Sequence, residues 1–324
     1  SCGRSSYFAH SGWDLKTALL GEEVASKLLV AGVLALDNLK TPKRSEKRIV
    51  GGAGIYSSIS SNLFTGTSLV AAIGNDFPEL ILDKIKKRGI DIGSVKQLDY
   101  PTFHWSGEYK GDMSQAITHE TDFRINEHYN WEIKPENRKP EILLLCNNDP
   151  SIQLKVLEQV KAKIIAMDTM NLWIDIANEK LKNVVSQSNI LFINDAEAKQ
   201  YSECLDLDEA GKKLLSQGPE FVIIKKGEHG ASLYYKNLTK HLPAFRVDNF
   251  VDPTGAGDSF AGATMGYLAN KENINEEHMI AAMNYGAAVA SITVEGFGTE
   301  SIMSITKSEI DARFRSLNGG PGRI

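Results

Sequence analysis

Val251-Asp252-Pro253-Thr254-Gly255-Ala256-Gly257-Asp258-Ser259-Phe260 is the stretch of sequence from which the fold can be inferred. Its small residues precede an apolar-periodic segment, 258–270, that predicts a helix. The first N–H groups of a helix lack backbone acceptors, so a helix that begins here would attract a phosphate. An acid in the same turn would repel that phosphate, so the presence of Asp258 needs an explanation. One explanation is that Asp258 accepts a proton from an attacking hydroxyl. For an isolated Gly-Ala-Gly-Asp, an acid that only stabilises the helix dipole is the favoured alternative.

Outward from this stretch, short apolar runs alternate with helical or turn segments. The predicted strands are 28–36, 68–73, 141–146, 163–167, 190–193, 221–224, 231–235 and 241–245, the last two as a β-meander. Helices are predicted at 55–64, 258–270 and 276–292. This alternation predicts a mainly parallel, doubly wound α/β sheet with helices on both faces, over residues 27–317.

The alternation breaks between about residues 95 and 125, where the sequence is strand-like and aromatic. A Lys/Arg-rich hairpin candidate precedes it at 38–48. We predict a small β-sheet lid built from about 38–50 and 96–126, with a plain edge hairpin as the alternative. Phe103 and Trp105 would stack on a sugar or a base, or simply pack the hinge.

Composition narrows the class of protein. The 324 residues carry a formal net charge of -5, which argues against a duplex nucleic acid partner. No apolar run reaches the ~18 residues of a membrane span. The 3 cysteines are too few for a disulfide framework and predict a reducing compartment, the cytoplasm. We interpret residues 1–26 as an extension or expression remnant and 318–324 as a flexible tail.

The stretch 251–260 closely resembles the C-terminal signature of the ribokinase-like (PfkB) carbohydrate kinase family. Three further segments resemble other elements of that family, in the same order along the chain: Gly51-Gly52 with 72–76, Asn194-Asp195-Ala196-Glu197, and Lys225-Lys226-Gly227-Glu228-His229-Gly230. Together they span about residues 28–312. The resemblance implies a ribokinase-like sheet with a small β lid, and phosphoryl transfer from ATP.

The resemblance also implies the roles of the phosphate-transfer residues. Asp258 would be the catalytic base, and the backbone of Gly255, Ala256 and Gly257 would form an anion hole. Both roles agree with the helix-start argument, since phosphoryl transfer asks a protein mainly for positioning and charge stabilisation. Asn194 and Glu197 would position Mg²⁺, through water in the case of Glu197.

The same resemblance implies the nucleotide and cation contacts. Lys225, Gly227 and Gly230 would lie along the nucleotide, although the glycines alone would also suit a plain turn. Asn284 or Tyr285 falls where the family often has an asparagine beside adenine. Asp252 is the candidate ligand for a monovalent cation such as K⁺, or else an ordinary turn residue before proline.

The sequence indicates less clearly which residues bind the substrate that accepts the phosphoryl group. Asp37, at the predicted end of the first strand, would bind substrate hydroxyls. Gly51 and Gly52 have no side chains and would let the backbone approach the substrate closely. The ribose pattern of the family has an asparagine where Tyr56 stands, which leaves three readings open. The first is a sugar kinase, the second a nucleoside kinase, and the third a non-catalytic ligand-binding protein.

Two expectations concern the remaining surfaces of the fold. The lid would provide a homodimer interface, because lids of this family often do. Asp168 follows a predicted strand, where α/β proteins gather site residues, but a helix cap explains it at least as well.

Overall fold

The computed structural model describes residues 26–111, 113 and 116–319. Most of the predicted extension, residues 1–25, and residues 320–324 of the predicted tail lie outside the described residues. The elements run from Leu28 to Leu317, and the predicted limits of the domain stay predictions.

The strands form two separate sheets. In chain order they are β1 (Leu28–Ala31), β2 (Ala35–Lys40), β3 (Ser45–Gly51), β4 (Thr67–Gly74), β5 (Asp91–Leu98), β6 (His104–Tyr109), β7 (Ala116–Asp122), β8 (Ile142–Leu145), β9 (Ile164–Asp168), β10 (Ile190–Asn194), β11 (Phe221–Lys225), β12 (Ala231–Tyr235) and β13 (Leu238–Leu242). The body sheet has nine strands in the order β13-β12-β11-β10-β9-β8-β1-β4-β5. The second sheet, which we call the lid, has the order β3-β2-β6-β7.

The body sheet is parallel except at β12 and β13, which confirms the predicted fold class. Its central strands are apolar on both faces; all four residues of β8, for example, are buried. Chain order reverses between β1 and β8, because β4 and β5 follow on one side and β9 to β11 on the other. Such a reversal opens a crevice at the carboxyl ends of the strands, where ligands of α/β proteins bind.

Helices cover both faces of the body sheet. They are α1 (Ala53–Asn62), α2 (Glu79–Lys87), α3 (Arg124–Glu127), α4 (Pro150–Leu157), α5 (Asn171–Ile176), α6 (Asn178–Ser186), α7 (Asp195–Ser202), α8 (Leu207–Leu215), α9 (Ala256–Leu268), α10 (Glu276–Thr293), α11 (Glu300–Ser304) and α12 (Lys307–Leu317). Successive residues of β10 point to opposite faces. Phe192 packs in the core with α1, α9 and α10, and Ile193 in the core with α4, α6 and α7.

The structure corrects three details of the predicted elements. The predicted first strand is two strands, because at Gly32 the chain leaves the body sheet and enters the lid. A Cβ on Gly32 would lie 2.8 Å from Gly54 Cα, so this crossing needs two glycines. The last predicted strand lies at Leu238–Leu242, three residues earlier than expected. Residues 96–98 belong to β5 in the body, an edge strand that is largely half-buried and gave no apolar pattern.

The close packing of α9 on α1 yields a stability prediction. A Cβ on Gly266 would lie 2.6 Å from the carbonyl oxygen of Ser61. We expect Gly266→Ala to lower the free energy of unfolding by about 1–3 kcal/mol, because overpacking outweighs the gain in helix propensity. Urea denaturation measures this loss. The exposed substitution Lys212→Ala should change stability by less than about 0.5 kcal/mol, and equal losses in both variants would refute the packing argument.

Candidate active site

The loop before α9 places the amides of its first turn. Gly255 is the N-cap of α9 and has φ +76°, a conformation that favours glycine. A Cβ at this position would also collide with the ring of Tyr56, which lies against the loop. The Ala256 amide donates to the carbonyl oxygen of Pro253 at 3.2 Å. The amides of Gly257 and Asp258 lie in the first helical turn, where helix geometry supplies no acceptor, so they are available to an anion.

Asp258 lies in the first turn of α9 with a perturbed pKa. Removal from water and the nearby charge of Asp168 raise its pKa to about 6, against the opposing effect of Lys225. A carboxylate with a pKa just below neutral is ionised at pH 7 and still basic enough to accept a proton. Asp258 is therefore suited to deprotonate a hydroxyl beside the helix start.

Asp168 and Lys225 form an ion pair next to this helix start. Lys225 Nζ lies 2.5 Å from Asp168 Oδ2, and the side chains are 18% and 5% exposed respectively. Both residues end strands, Lys225 in β11 and Asp168 in β9. The sequence placed Asp168 at a strand end without giving it a partner. Nothing in the local sequence connects two residues 57 positions apart.

Asn194 and Glu197 form a capping box at the start of α7. The Asn194 side chain accepts from the Glu197 amide at 2.8 Å, and Glu197 Oε2 accepts from the Asn194 amide at 2.9 Å. Burial raises the pKa of Glu197 to about 7, although Lys225 opposes this. Within the described ranges no group of three acidic, His or Cys side chains could hold a metal. Asn194 and Glu197 offer an amide and a carboxylate oxygen, and Mg²⁺ binds through few such groups together with water and substrate phosphates. Magnesium binding by these two residues stays a prediction.

The turn between β11 and β12 contains both predicted nucleotide glycines. Gly227 and Gly230 have φ +55° and +84°, and Gly227–His229 is a short 3₁₀ turn. A Cβ on Gly227 would meet open space, whereas one on Gly230 would collide with the backbone of Leu242. The turn geometry thus accounts for both glycines, and their nucleotide contacts stay a prediction.

Asp37 lies inside β2 of the lid rather than at the end of the first strand. Its Oδ1 accepts from the Trp105 amide at 3.2 Å. Burial raises its pKa to about 7, and the charge of Asp252 adds to this. A Cβ on Gly51 would collide with the Asp37 carboxylate, and one on Gly52 would lie 2.5 Å from the Val33 carbonyl oxygen. The packing of the chain therefore requires both glycines, and their contact with substrate stays a prediction.

Two tyrosines converge between the lid and the body. Tyr56 is 1% exposed, and its hydroxyl has no hydrogen-bond partner among the described residues. Burial raises the pKa of Tyr56 well above its usual value, and the nearby carboxylates add to this, with Asp252 and Asp37 ahead of Asp258. Burial and the same three acids raise the pKa of Tyr109, in β6, to about 12. The sequence indicated Tyr109 only as one aromatic residue of the lid, and the structure brings it next to Thr254 in the loop before α9.

The inner face of the lid is aromatic. Trp105 Nε1 donates to Thr118 Oγ1 at 3.1 Å, and its indole lies flat over Gly107, where a Cβ would collide with it. The rings of Trp105 and Tyr109 are 6.5 Å apart. Phe103 packs edge-on against Phe123 at 5.5 Å and lies against the core of the body.

Asp252 joins the helix-start loop to the segment after α10. It is fully buried, with Oδ1 accepting from the Thr254 amide at 2.9 Å and Oδ2 from the Gly298 amide at 2.8 Å. Burial raises its pKa, while these hydrogen bonds lower it. Both oxygens are thus engaged by backbone amides.

Asn284 and Tyr285 lie away from Asp258. Asn284 Nδ2 donates to Asn318 Oδ1 at 3.0 Å. Tyr285 stacks on Phe314 at 3.8 Å and contacts Tyr267, which lies two and a half turns beyond Asp258 on α9. The structure does not bring these two residues to the helix-start loop.

The tip of the β2–β3 hairpin is fastened to the body. Arg44 forms a two-pronged ion pair with Glu300, at 3.0 and 2.9 Å, and lies over the ring of Phe297. Lys43 Nζ donates to the carbonyl oxygen of Phe250 at 2.7 Å. These contacts hold the lid over the crevice.

Comparisons with known proteins identify the family of this chain. The family model described as pfkB family carbohydrate kinase matches residues 31–306. A cytidine kinase of Thermococcus kodakarensis is 29% identical over 248 residues, 75% of this chain and 87% of the relative. A nucleoside kinase of Methanocaldococcus jannaschii is 24% identical over 268 residues, 79% of this chain and 83% of the relative.

Solved structures give the same result for the fold. The crystal structure of a ribokinase from Thermotoga maritima superimposes with a TM-score of 0.70 at 25% identity, covering 90% of this chain and 99% of that chain. The family match covers most of the sequence and includes the loop before α9, Asp258 and the strand ends that face it. This chain therefore belongs to the pfkB family of carbohydrate kinases and is a phosphotransferase that acts on an alcohol group.

Proposed function

We propose that this kinase transfers the γ-phosphoryl group of ATP to a hydroxyl of a nucleoside. The observation that carries the choice of acceptor is the pair of aromatic side chains in the lid, Trp105 and Tyr109. A free sugar needs mainly hydrogen-bonding groups, whereas a nucleobase also needs a flat apolar wall on which to stack. Asp37 would bind the sugar hydroxyls at the edge of this wall.

The matched relatives support a nucleoside acceptor. The two curated relatives described above match over more than four fifths of their own length, and both are named as kinases of nucleosides. A free sugar stays the second candidate, because the family is one of carbohydrate kinases and Asp37 would suit a sugar equally well. A non-catalytic protein is disfavoured, since Asp258 and the helix-start amides are arranged for reaction.

In the proposed reaction Asp258 accepts the proton of the acceptor hydroxyl. The amides of Gly257 and Asp258 face the charge of the transferred phosphoryl group. The lid excludes solvent from the crevice, and these electrostatic interactions are stronger where water is excluded. The ring of Tyr56 lies against the loop before α9, and its buried hydroxyl has no hydrogen-bond partner in the described part of the chain.

The proposed cofactors are ATP, Mg²⁺ and K⁺. Bound Mg²⁺ would neutralise charge on the phosphates, with Glu197 and Asn194 holding it through water. Asp252 is the proposed ligand for K⁺. Its full burial between the loop before α9 and the segment after α10 supports this. Lys225, Gly227 and Gly230 are proposed to line the nucleotide, with Asn284 or Tyr285 toward adenine.

We also propose a homodimer that forms through the lid. Strand β7 is an outer edge of the lid sheet, and residues 116–120 are exposed. Edge strands offer unpaired backbone groups to a second chain. The proposed compartment is the cytoplasm, which the free thiols of Cys146 and Cys204 support. In the part of the chain that the structure describes, no helix is long and apolar enough to cross a membrane.

Acceptor choice is tested by measuring ADP release with ATP and Mg²⁺ across nucleosides and free sugars. We expect at least one nucleoside to have a kcat/KM about 100-fold above that of ribose, because a stacked base adds binding energy of about 1–3 kcal/mol. Fructose, ribose and deoxyribose provide the comparison. A sugar that outperforms every nucleoside would refute the nucleoside proposal and favour the second candidate.

The aromatic wall is tested with Trp105→Ala. We expect KM for the nucleoside to rise about tenfold, since stacking is lost, while KM for ATP stays within about twofold. Steady-state kinetics in both substrates measures the two effects. Tyr100→Ala removes a half-exposed aromatic side chain stacked on His128 and serves as the matched control. Equal effects of both substitutions on the nucleoside KM would contradict a wall at Trp105.

The raised pKa of Asp258 gives a pH dependence. A base must be unprotonated to act, so kcat at saturating acceptor, ATP and Mg²⁺ should fall about tenfold per pH unit below about pH 6. Asp258→Asn should abolish turnover and keep nucleotide binding. Because Asp37 has a pKa raised to about 7, Asp37→Asn is the control, and it should weaken acceptor binding but keep the limb near pH 6. A limb near pH 4 in the unmodified enzyme would exclude Asp258 as its source.

A further inference from the structure

The Asp168–Lys225 ion pair spans a strand that lies between its partners. Strand β10 separates β9 from β11 in the body sheet, and residue 192 of β10 pairs with Asp168 while Asn194 pairs with Lys225. Neighbouring strands are about 4.8 Å apart, so the two backbones are separated by about 10 Å. The lysine side chain therefore extends across the end of β10 to reach the carboxylate.

Asp168 is held rigidly on its own side of the pair. Its Oδ1 accepts from the Thr169 amide at 2.9 Å, and Oδ2 accepts from Lys225. Its carbonyl oxygen accepts from Gln153 Nε2 at 3.1 Å, and the same nitrogen donates to the Cys146 carbonyl oxygen at 2.9 Å. Both carboxylate oxygens and the backbone are thus fixed.

The ammonium group is directed at the start of α9. A Cβ on Gly257 would lie 3.2 Å from Lys225 Nζ, so the missing side chain leaves room for the ammonium beside the first-turn amides. The charge consequently lies next to the place where these amides would hold an anion. It does not extend outward along the turn with Gly227 and Gly230.

We infer that Asp168 is a positioning residue, which holds the Lys225 ammonium against the phosphoryl group during transfer and acts only through Lys225. The inference rests on the phosphotransferase activity and is independent of which acceptor is used. It assigns Lys225 to the reacting phosphoryl group, in place of a general contact along the nucleotide.

Two physical arguments support this assignment. A lysine ammonium is a point charge on a flexible stem, and a fixed charge stabilises a transition state better than one that must reorganise. Burial lowers the pKa of Lys225, but Asp168 and Glu197 more than compensate, so the pKa is raised and the charge is retained. An ion pair that only linked β9 to β11 would not need to place its ammonium group beside Gly257.

The inference is tested by a double-mutant cycle with Asp168→Asn, Lys225→Met and the double variant. We expect each single variant to lower kcat about 10²–10³-fold, with KM for ATP and acceptor changed less than about threefold. The double variant should match Lys225→Met within about twofold, because Asp168 has no other route to the reaction. Glu141→Gln, which breaks the exposed pair with Lys163, is the matched control and should keep the unmodified kcat.

Two results would overturn the inference. One is an Asp168→Asn effect that stays equally large in the Lys225→Met background, since Asp168 would then act independently. The other is a raised KM for ATP with kcat retained, which would make the pair a nucleotide-binding element. Circular dichroism and ATP binding verify that each variant is folded.

If Asp168→Asn does not fold, Asp168→Glu replaces it in the test. This variant keeps the charge but displaces the carboxylate by one methylene, so we expect a lower kcat with the fold preserved. A kcat equal to that of the unmodified enzyme would overturn the inference. The assay uses whichever acceptor the unmodified enzyme phosphorylates, so failure of the nucleoside proposal is seen separately.

Discussion

The contact between Gly255 and the ring of Tyr56 is the constraint on which the rest of the site depends. Helix α9 begins at a left-handed residue with no room for a side chain, because the ring fills that space. This fixes the direction of the first-turn amides and the position of Asp258. The C-terminal half of α9 packs closely on α1 in the same way, because Gly266 approaches Ser61 with no room for a side chain. One helix pair thus carries both the core of the body and the reactive centre.

Around this centre acidic side chains outnumber basic ones. Asp37, Asp168, Glu197 and Asp252 are all at most 7% exposed, and mostly buried Lys225 is the cation paired among them. Crowded, desolvated carboxylates favour their protonated form, which explains the raised pKa of Asp37, Glu197 and Asp258. The arrangement is suited to receive cations together with a phosphate, since cations would relieve the repulsion among the acids.

The lid and the reactive loop are connected through one short segment. Arg44 at the tip of the lid hairpin pairs with Glu300, and the Gly298 amide nearby donates to Asp252. Asp252 in turn accepts from Thr254, immediately before the start of α9. Hydrogen bonds therefore connect the lid hairpin, the segment after α10 and the loop before α9.

The order of residues along the chain was enough to predict the fold class and the reactive loop. Small residues, an acid and an apolar helix are contiguous there, and contiguous residues set local backbone geometry. It also indicated the aromatic lid, although not which rings face inward. The pairing of Asp168 with Lys225, the position of Tyr109 and the occupation of the space at Gly51 by Asp37 were decided only by the tertiary structure. Each depends on which strands become neighbours and how the lid folds over α9, and strand order is set by the packing of the whole chain.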